Sequence, residues 1–492
     1  MFKATTPESV GISSKKVLEI YKFLQRSGLA THSVIMARGD KIFSESYWAP
    51  FNKDFRHRMY SVTKSFVAVA VGFAVQDGYF GLDDSVAELF KRYFDIEPDP
   101  LLAEATVRDM LMMSSSHIGA FNVFKPGDYD RFEKYFTVPG QKIPGTVFHY
   151  DSHGTGVLSA LVERCTGMQF IDYLKEKVLK YTGFNTDVEC VQMQGGSFGG
   201  SGVLCTARDL LIFARFVMNL GTWDGKRYLN EDFLREATTK QISNSLEGFK
   251  TPLSSGYGYK IWILPENGFA FVGLGMQLAI CHPGTDFIFI INSDNQGKTY
   301  NYKEPLIDRI YETLIHNFSD ALPEDKDAYA ELCDYTRDLE LYALSGDTYS
   351  ETCDRINGVT YTLNENPMGI EYVRLDFEGK KGKLTYKNAQ GEKKLTFGMG
   401  YNEFVKFPQS GYSDMDASHP CPGNLYDCAA SAVWEDKNKL LICAQIIDKY
   451  FGRACMNFSF KDSRIQVTML SHAENFLGEY SGTAMGEAKK QV

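Results

Sequence analysis

Phe51-Asn52-Lys53-Asp54-Phe55-Arg56-His57-Arg58-Met59-Tyr60-Ser61-Val62-Thr63-Lys64-Ser65-Phe66-Val67-Ala68-Val69-Ala70-Val71 is a polar loop that turns into an apolar run. The run has the length and alanine content of a buried helix. That reading puts Ser61 at the first turn of the helix and Lys64 one turn further on. Residues three apart share a helix face, so the ammonium group reaches the serine hydroxyl. A serine near neutral pH is a poor nucleophile until a neighbouring base takes its proton. A lysine buried beside it, with its pKa lowered by desolvation, is such a base. The helix N-terminus adds free backbone N–H groups and the positive end of a dipole, which suit developing negative charge. The spacing by itself also fits a helix-capping serine with a solvated lysine. Ser13-Ser14-Lys15-Lys16 has it at the start of a charged amphipathic helix (Val17, Ile20, Tyr21, Leu24) with no apolar run behind it, and reads as that plainer case.

The flanking sequence places this helix in a domain. Residues 14–27 read as a helix, and Ser33–Ala37 and Lys41–Trp48 as a hairpin turning at Arg38-Gly39-Asp40. The Ser61 helix ends at Asp77-Gly78. From Leu82 to about Asn219 the chain reads as mostly helical, with Val107–Met113, Gly154–Cys165 and Ala207–Met218 the clearest pieces. Strands are expected at Tyr257–Leu264, Phe269–Cys281 and Phe287–Asn292, then a helix at Glu304–Phe318. This is an α+β domain over residues 1–318, its antiparallel sheet assembled from both ends of the segment. Residues 319–341 are acidic and helix-compatible and read as a connector. Residues 342–492 change to short alternating runs between turns, among them Gly369–Phe377, Leu440–Ile447, Arg453–Phe460 and Phe476–Tyr480. They predict a C-terminal all-β domain, a barrel or sandwich, with a lipocalin-like barrel among its forms. The long loop Phe407–Cys428 interrupts the series. Loops of that length inside a domain often carry function: either this one borders the Ser61 cleft and restricts substrate size, or the domain only stabilises the protein or mediates self-association.

Composition narrows the function. A chain of 492 residues with 44% hydrophobic content can bury large cores. A net charge of -10 argues against nucleic acid as a partner, since phosphates need clustered cations. No apolar window is long enough to span a membrane, and the N-terminus lacks a signal-peptide core. The expected compartment is the cytoplasm, where the 10 cysteines would be reduced. His419, Cys421 and Cys428 share a loop, but their spacing matches no common zinc module. The expectation is a small-molecule substrate with no metal or organic cofactor. Oligomeric state is not readable.

A Ser–Lys site needs a third polar group to relay protons. Tyr150-Asp151-Ser152, after Pro144-Gly145-Thr146 and before a helix, offers one. With these stretches in view, the chain resembles the serine β-lactamase and penicillin-binding-protein superfamily over about residues 10–318. It looks most like the branch of class C β-lactamase-like hydrolases that holds esterases, D-aminopeptidase-like enzymes and 6-aminohexanoate-oligomer hydrolases. Tyr60-Ser61-Val62-Thr63-Lys64-Ser65-Phe66 resembles the family's nucleophile motif. Tyr150-Asp151-Ser152 resembles its Tyr-x-Asn motif, with serine for asparagine. Gly199-Gly200-Ser201-Gly202 and Thr206-Ala207-Arg208-Asp209-Leu210 resemble its glycine-rich turn and following helix. Gly256-Tyr257-Gly258-Tyr259 is also similar. The third motif, Lys-Thr-Gly or His-x-Gly in the family, aligns with Phe271-Val272-Gly273, which lacks the cation.

The resemblance implies a fold, an activity and roles. Ser61 would be the nucleophile, Lys64 the base and Tyr150 the proton relay. The N–H groups of Ser61 and Leu274 would form the oxyanion hole, with Ser152, Gly273 and Phe271 on the substrate. Gly275-Met276-Gln277 would continue the strand. An apolar pair in place of the cation implies a neutral acyl group, so a small carboxylic ester comes first, a small amide or D-peptide second, and a β-lactam third. A catalytically silent binding or sensor protein on the same scaffold is the other class of function. Gly195-Gly196-Ser197-Phe198-Gly199 matches the G-x-S-x-G nucleophile elbow of a different hydrolase fold. It lacks the strand before and the helix directly after that the elbow requires, and reads as a glycine-rich turn.

Overall fold

The computed structural model describes residues 2–95, 97–118, 131–248 and 252–489. Packing divides the chain into two units: Met1–Glu340 with Met415–Ser418, and Leu341–Asp414 with His419–Val492.

The first unit is built on a seven-stranded sheet. Its strands are β1 (Lys3–Ala4), β2 (Thr31–Arg38), β3 (Lys41–Tyr47), β4 (Trp262–Ile263), β5 (Phe269–Gly273), β6 (Gln277–His282) and β7 (Phe287–Ser293). Their order is β1-β3-β2-β7-β6-β5-β4, so both ends of the segment do meet, at the β2–β7 pairing. Successive side chains on a strand point to opposite faces. Ile35, Ala37, Phe271, Ala279, Ile288 and Ile290 face one core, and Val34, Met36, Leu278, Ile280, Phe289 and Ile291 face the other. The first core is closed by α2 (Thr63–Gln76) and α5 (Ala207–Met218), with α3 (Arg131–Thr137) and α4 (Ser152–Thr166) beyond. The second is closed by α1 (Ser14–Arg26) and α6 (Thr299–Thr313). Burial on both faces explains why Phe287-Ile288-Phe289-Ile290-Ile291 is apolar without alternation.

Several expected elements differ in detail. Phe269–Cys281 is two strands, β5 and β6, joined by a turn at residues 274–276. Gly275 and Met276 lie in that turn and Gln277 opens the next strand, so the three do not continue β5. Of Tyr257–Leu264 only Trp262–Ile263 is strand, because Lys260 has φ 57°. Residues 119–130 of the expected helical stretch lie outside the described residues. The acidic segment 319–341 holds a helix, α7 (Lys326–Arg337), packed on α1 within the first unit. Its acids meet α1's lysines: Lys15 with Asp325 (3.4 Å) and Lys22 with Glu331 (3.2 Å). Ser13 and Ser14 are structural here. Ser13 caps α1, and Ser14 Oγ donates to Glu8 Oε2 (3.0 Å).

The second unit is a closed β-barrel. Its strands are β8 (Thr360–Leu363), β9 (Tyr372–Glu378), β10 (Lys381–Asn388), β11 (Gly391–Met399), β12 (Glu403–Lys406), β13 (Asp427–Asp436), β14 (Lys439–Ile447), β15 (Phe451–Lys461), β16 (Arg464–Ala473) and β17 (Gly482–Ala488). Antiparallel pairing runs from β11 back through β8, on to β17 and down to β13. A short parallel contact between β11 and β13 (Gly398↔Ser431, Met399↔Ala432) closes a nine-stranded ring, and β12 lies outside it on β13. Phe476–Tyr480, expected as a strand, is a turn with a single 3₁₀ piece at Gly478–Tyr480. The strand that completes the ring is β17.

Candidate active site

The backbone around Ser61 is held on both sides. His57–Arg58 pairs with Val203–Cys205, and Met59 N–H donates to the Val203 carbonyl (2.8 Å). The chain then reverses at Tyr60, a non-glycine residue with φ 47°. A 3₁₀ turn, Tyr60–Val62, carries Ser61 and runs into α2. Arg58 is buried, lies over the Tyr60 ring (4.8 Å) and donates to the Ser201 carbonyl (3.1 Å), tying this turn to the glycine-rich one. Lys64 is 1% exposed. Its Nζ donates to Ser61 Oγ (2.8 Å) and to the Gly200 carbonyl (2.6 Å), and sits 5.2 Å from the centre of the Tyr150 ring.

Tyr150-Asp151-Ser152 forms the next wall. Tyr150 stacks on Trp262, with centroids 5.8 Å apart. Asp151 is the N-cap of α4, accepting from His153 N–H (2.9 Å), and its other oxygen accepts from Tyr135 OH (2.9 Å). Burial pushes its carboxyl up, but His153, the Gly154 N–H, Lys260 and Tyr135 outweigh that, and its pKa ends below the ordinary value. Ser152 opens α4 beside Gly200. A Cβ on Gly200 would stand 3.0 Å from the Ser152 carbonyl. Gly199 is tighter: its Cβ would meet Ser159 Oγ at 2.2 Å. The glycines therefore let this turn lie against α4 and present the Gly200 carbonyl to Lys64.

The strand side is β5, which packs against the Ser61 turn. A Cβ on Gly273 would lie 2.5 Å from the Met59 carbonyl oxygen, so this position needs glycine for backbone proximity to the nucleophile's turn. Leu274 follows, partly exposed, its carbonyl accepting from Gln277 Nε2 (3.0 Å). Phe271 does not join the site. Two residues from Gly273, it is fully buried and packs on Phe213 (centroids 5.5 Å apart) in the core under α5. Strand alternation sends Val272 to the opposite face.

Two neighbours carried no recognisable sequence signal. Lys260, 2% exposed, places Nζ 3.2 Å from Met113 Sδ, and its carbonyl accepts from Ser65 Oγ (2.9 Å). Met113 Sδ also accepts from the Asp151 N–H (3.2 Å). Met113 (φ 63°), Lys260 and Met276 (φ 71°) share Tyr60's left-handed backbone. Four buried non-glycine residues so strained, on segments bearing or flanking the site, mark a place where surrounding structure overrides local preference.

Ser197 is apart from this constellation. It is buried in a two-residue strand, Gly196–Ser197, paired with Gln192–Met193, and its N–H donates to Glu163 Oε2 (3.3 Å). Gly199–Gly202 follows as a turn, so the elbow geometry is missing. His149 N–H donates to the Met113 carbonyl (2.8 Å). Burial pulls the His153 pKa down to about 4. Among the described residues no group of three or more His, Cys, Asp or Glu side chains is placed to hold a metal ion, and no helix is long and apolar enough to cross a membrane.

Comparison with known proteins bears on the family of the first unit. A family model described as Beta-lactamase matches residues 20–297, more than half of the chain. A 6-aminohexanoate-dimer hydrolase of Paenarthrobacter ureafaciens is 24% identical over 281 residues, covering 53% of this chain and 71% of the relative. A penicillin-binding protein homologue from Caulobacter crescentus has a similar structure (TM-score 0.50, 15% identity, 62% of this chain and 99% of that one). An octameric penicillin-binding protein homologue from Pyrococcus abyssi aligns over 96% of this chain and 99% of its own, with 15% identity and a TM-score of 0.49.

Proposed function

The chain belongs to the Beta-lactamase family of serine hydrolases, and on that premise we propose that it hydrolyses a small neutral carboxylic ester through an acyl-enzyme on Ser61. The observation that carries this reading is the 2.8 Å contact between Ser61 Oγ and the buried Lys64 Nζ. With Lys64 neutral, its lone pair takes the hydroxyl proton as Ser61 Oγ attacks the carbonyl carbon. The negative charge that develops on the carbonyl oxygen is met by the N–H groups of Ser61 and Leu274. Tyr150, its ring beside Lys64, relays the proton to the leaving alcohol. Water then attacks the acyl-enzyme carbonyl as Lys64 takes its proton, Ser61 leaves as the alkoxide, and Lys64 passes that proton to it, freeing the acid. Ser152 and Gly273 border the acyl group.

Substrate charge follows from β5. Where the resemblance leads one to expect a cation, this chain has Phe271, turned into the core, and Val272. A substrate carboxylate gains no partner there, and burying it unpaired is costly. A small amide is the second reading, favoured by the relative named for hydrolysing a 6-aminohexanoate dimer. A silent binding protein would not need a buried lysine held against a serine. Fluorophosphonate labelling followed by peptide mapping tests the nucleophile: Ser61 should carry the adduct, and an unlabelled Ser61 in folded protein overturns the assignment. Nitrophenyl butyrate should turn over faster than benzylpenicillin, and the reverse order removes the neutral-ester reading.

A further inference from the structure

The outer face of the barrel carries a pair of thiols. β14 and β15 are paired without a shift from Lys439↔Ser459 to Ile447↔Phe451, and in that register Cys443 stands directly opposite Cys455. Residues so opposed share a face of the sheet. Their Cα atoms lie about 4.5 or 5.5 Å apart, according to the hydrogen bonding of the pair, and a disulfide spans either distance. The neighbours fix which face it is. Ile442, Ala444, Ala454 and Met456, one residue to either side, are fully buried, as inward positions of the barrel should be. Cys455 is paired on its other side with Leu470, whose side chain is 54% exposed. Cys443 is buried and Cys455 is partly exposed. Their sulfurs are 3.4 Å apart, and a disulfide needs them to close to about 2 Å. A cysteine that serves only as a small hydrophobe belongs in the core. These two face out, sulfur to sulfur.

The geometry points to a reversible disulfide between Cys443 and Cys455, formed by exchange with a low-molecular-weight disulfide such as oxidised glutathione and stapling β14 to β15. It stands apart from the assignment of Ser61. Exchange proceeds by attack of a thiolate on a disulfide sulfur, through a mixed disulfide. Cys455, the more exposed of the two, loses its proton to water and attacks. The glutathione disulfide bond breaks, one glutathione leaves as the thiolate, and Cys455 carries the other. Cys443 then loses its proton and attacks Cys455 Sγ, which starts 3.4 Å away. The second glutathione leaves, and the two protons end on the two glutathiones. Two protein thiols and one glutathione disulfide thus give one protein disulfide and two reduced glutathiones. The strand pairing supplies the second step, because the resolving thiol is already opposite and no strand has to move. The loop closed by the link runs only from residue 443 to residue 455, and short loops are stabilised least by a cross-link. One sulfur is also within reach of solvent. Links of that kind are the labile ones.

The test uses the full chain, equilibrated in mixtures of reduced and oxidised glutathione, quenched with acid, blocked with N-ethylmaleimide in denaturant and digested with trypsin without reduction. Residues 440–449 and 454–461 are the tryptic peptides that hold Cys443 and Cys455. In the oxidising mixture they should appear joined, and two thiols fewer than in the reduced protein should take the maleimide. Restoring reduced glutathione should part them. Amide exchange across β14 and β15 should slow on the order of tenfold or more in the joined protein, since a cross-link limits local opening. In Cys443→Ser the reaction should stop with glutathione on Cys455. Free thiols at both positions in the oxidising mixture, or glutathione left on Cys455 of the wild-type chain with no joined peptides, overturn the inference. So does a link that reduced glutathione fails to open, or one that leaves amide exchange across the two strands unchanged. A folded Cys443→Ser chain that takes no glutathione overturns the assignment of Cys455 as the thiol that reacts first. The wild-type measurements decide the disulfide itself whether or not that variant folds.

Discussion

At the scale of single residues, Ser61 and Ser197 are the sharpest contrast. Both follow small or aromatic residues in motifs known from hydrolases. Only Ser61 has an amine at hydrogen-bonding distance, and only Ser197 is fully buried. Ser61→Ala should therefore abolish ester turnover while costing only about 1 kcal/mol of stability, the net worth of a typical hydrogen bond. Ser197→Ala should keep turnover. Steady-state rates and urea midpoints of both variants decide it, and the opposite pattern would discard the Ser–Lys site. Lys64→Arg keeps the charge, but a guanidinium does not release a proton near neutral pH, so it should be nearly inactive. Tyr150→Phe should lose a factor on the order of 10²–10⁴, the range for a general acid–base group. Turnover close to wild type in Lys64→Arg rules out lysine as the base. What was legible at this scale was what is local. Ser61 and Lys64 lie three residues apart at the start of one helix, and that spacing is visible in sequence. Lys260 and Met113 reach the site on turns with positive φ that no glycine announces. The alignment of Gly273 points to Phe271, which shares Gly273's face of β5 but packs on Phe213 in the core under α5.

At the scale of elements, the site is a junction of backbones. β5 meets the Ser61 turn at Gly273, whose Cβ would have backbone carbonyl on one side at 2.5 Å and Gln277 on the other at 3.0 Å. Neither can move cheaply. Gly273→Ala should cost about 1–3 kcal/mol, the usual range for overpacking, and should reduce turnover by shifting β5 from the turn. A variant with unchanged urea midpoint and unchanged kcat would refute this account of the glycine. The loop segment Met415–Ser418 is a second element-scale feature. Gln192 N–H donates to the Met415 carbonyl (2.7 Å), Ala417 N–H to the Gln192 carbonyl (2.8 Å) and Gln194 N–H to Ser418 Oγ (2.6 Å). Gln192 in turn pairs with Ser197, just ahead of the Gly199–Gly200 turn that holds Lys64. Replacing residues 408–427 by a short Gly-Ser linker should lower the rates of short and bulky esters alike if the segment braces that turn. Selective gain for bulky esters would mean instead that the loop restricts substrate size. The strands were partly legible for physical reasons. Alternating runs with β-branched and aromatic residues were found. Gly482-Thr483-Ala484-Met485-Gly486-Glu487-Ala488, with two glycines and two alanines, is a strand only because its neighbours pair with it. Phe476–Tyr480 has strand-like composition, but Leu477 takes φ 63° and ends the extension.

At the scale of the whole molecule, buried histidines set the response to acid. His57 is enclosed, with Nε2 2.8 Å from His32 Nδ1, and burial pulls its pKa down to about 3. Burial does the same to His153, at about 4. Both values lie below the unfolded value of about 6.5, so the unfolded chain binds these protons first. Stability is then full above that pH and falls as pH drops through it. With both histidines protonated only in the unfolded chain, the slope approaches about 2.7 kcal/mol per pH unit near pH 5. Urea midpoints at pH 7.5 and pH 5 should differ clearly, and equal midpoints would contradict the buried neutral histidines. The two-unit plan also bears on how copies of the chain can associate. The seven-stranded sheet ends in two-residue strands, β1 on one side and β4 on the other, and Tyr257 bridges to Trp262 on β4. The barrel closes on itself, and its outlying strand β12 is four residues long with Glu403 and Lys406 at its ends. These three outlying strands each offer an extended peptide from another molecule only two to four residues of backbone to copy. Strand-by-strand growth from these short outlying strands is thereby disfavoured.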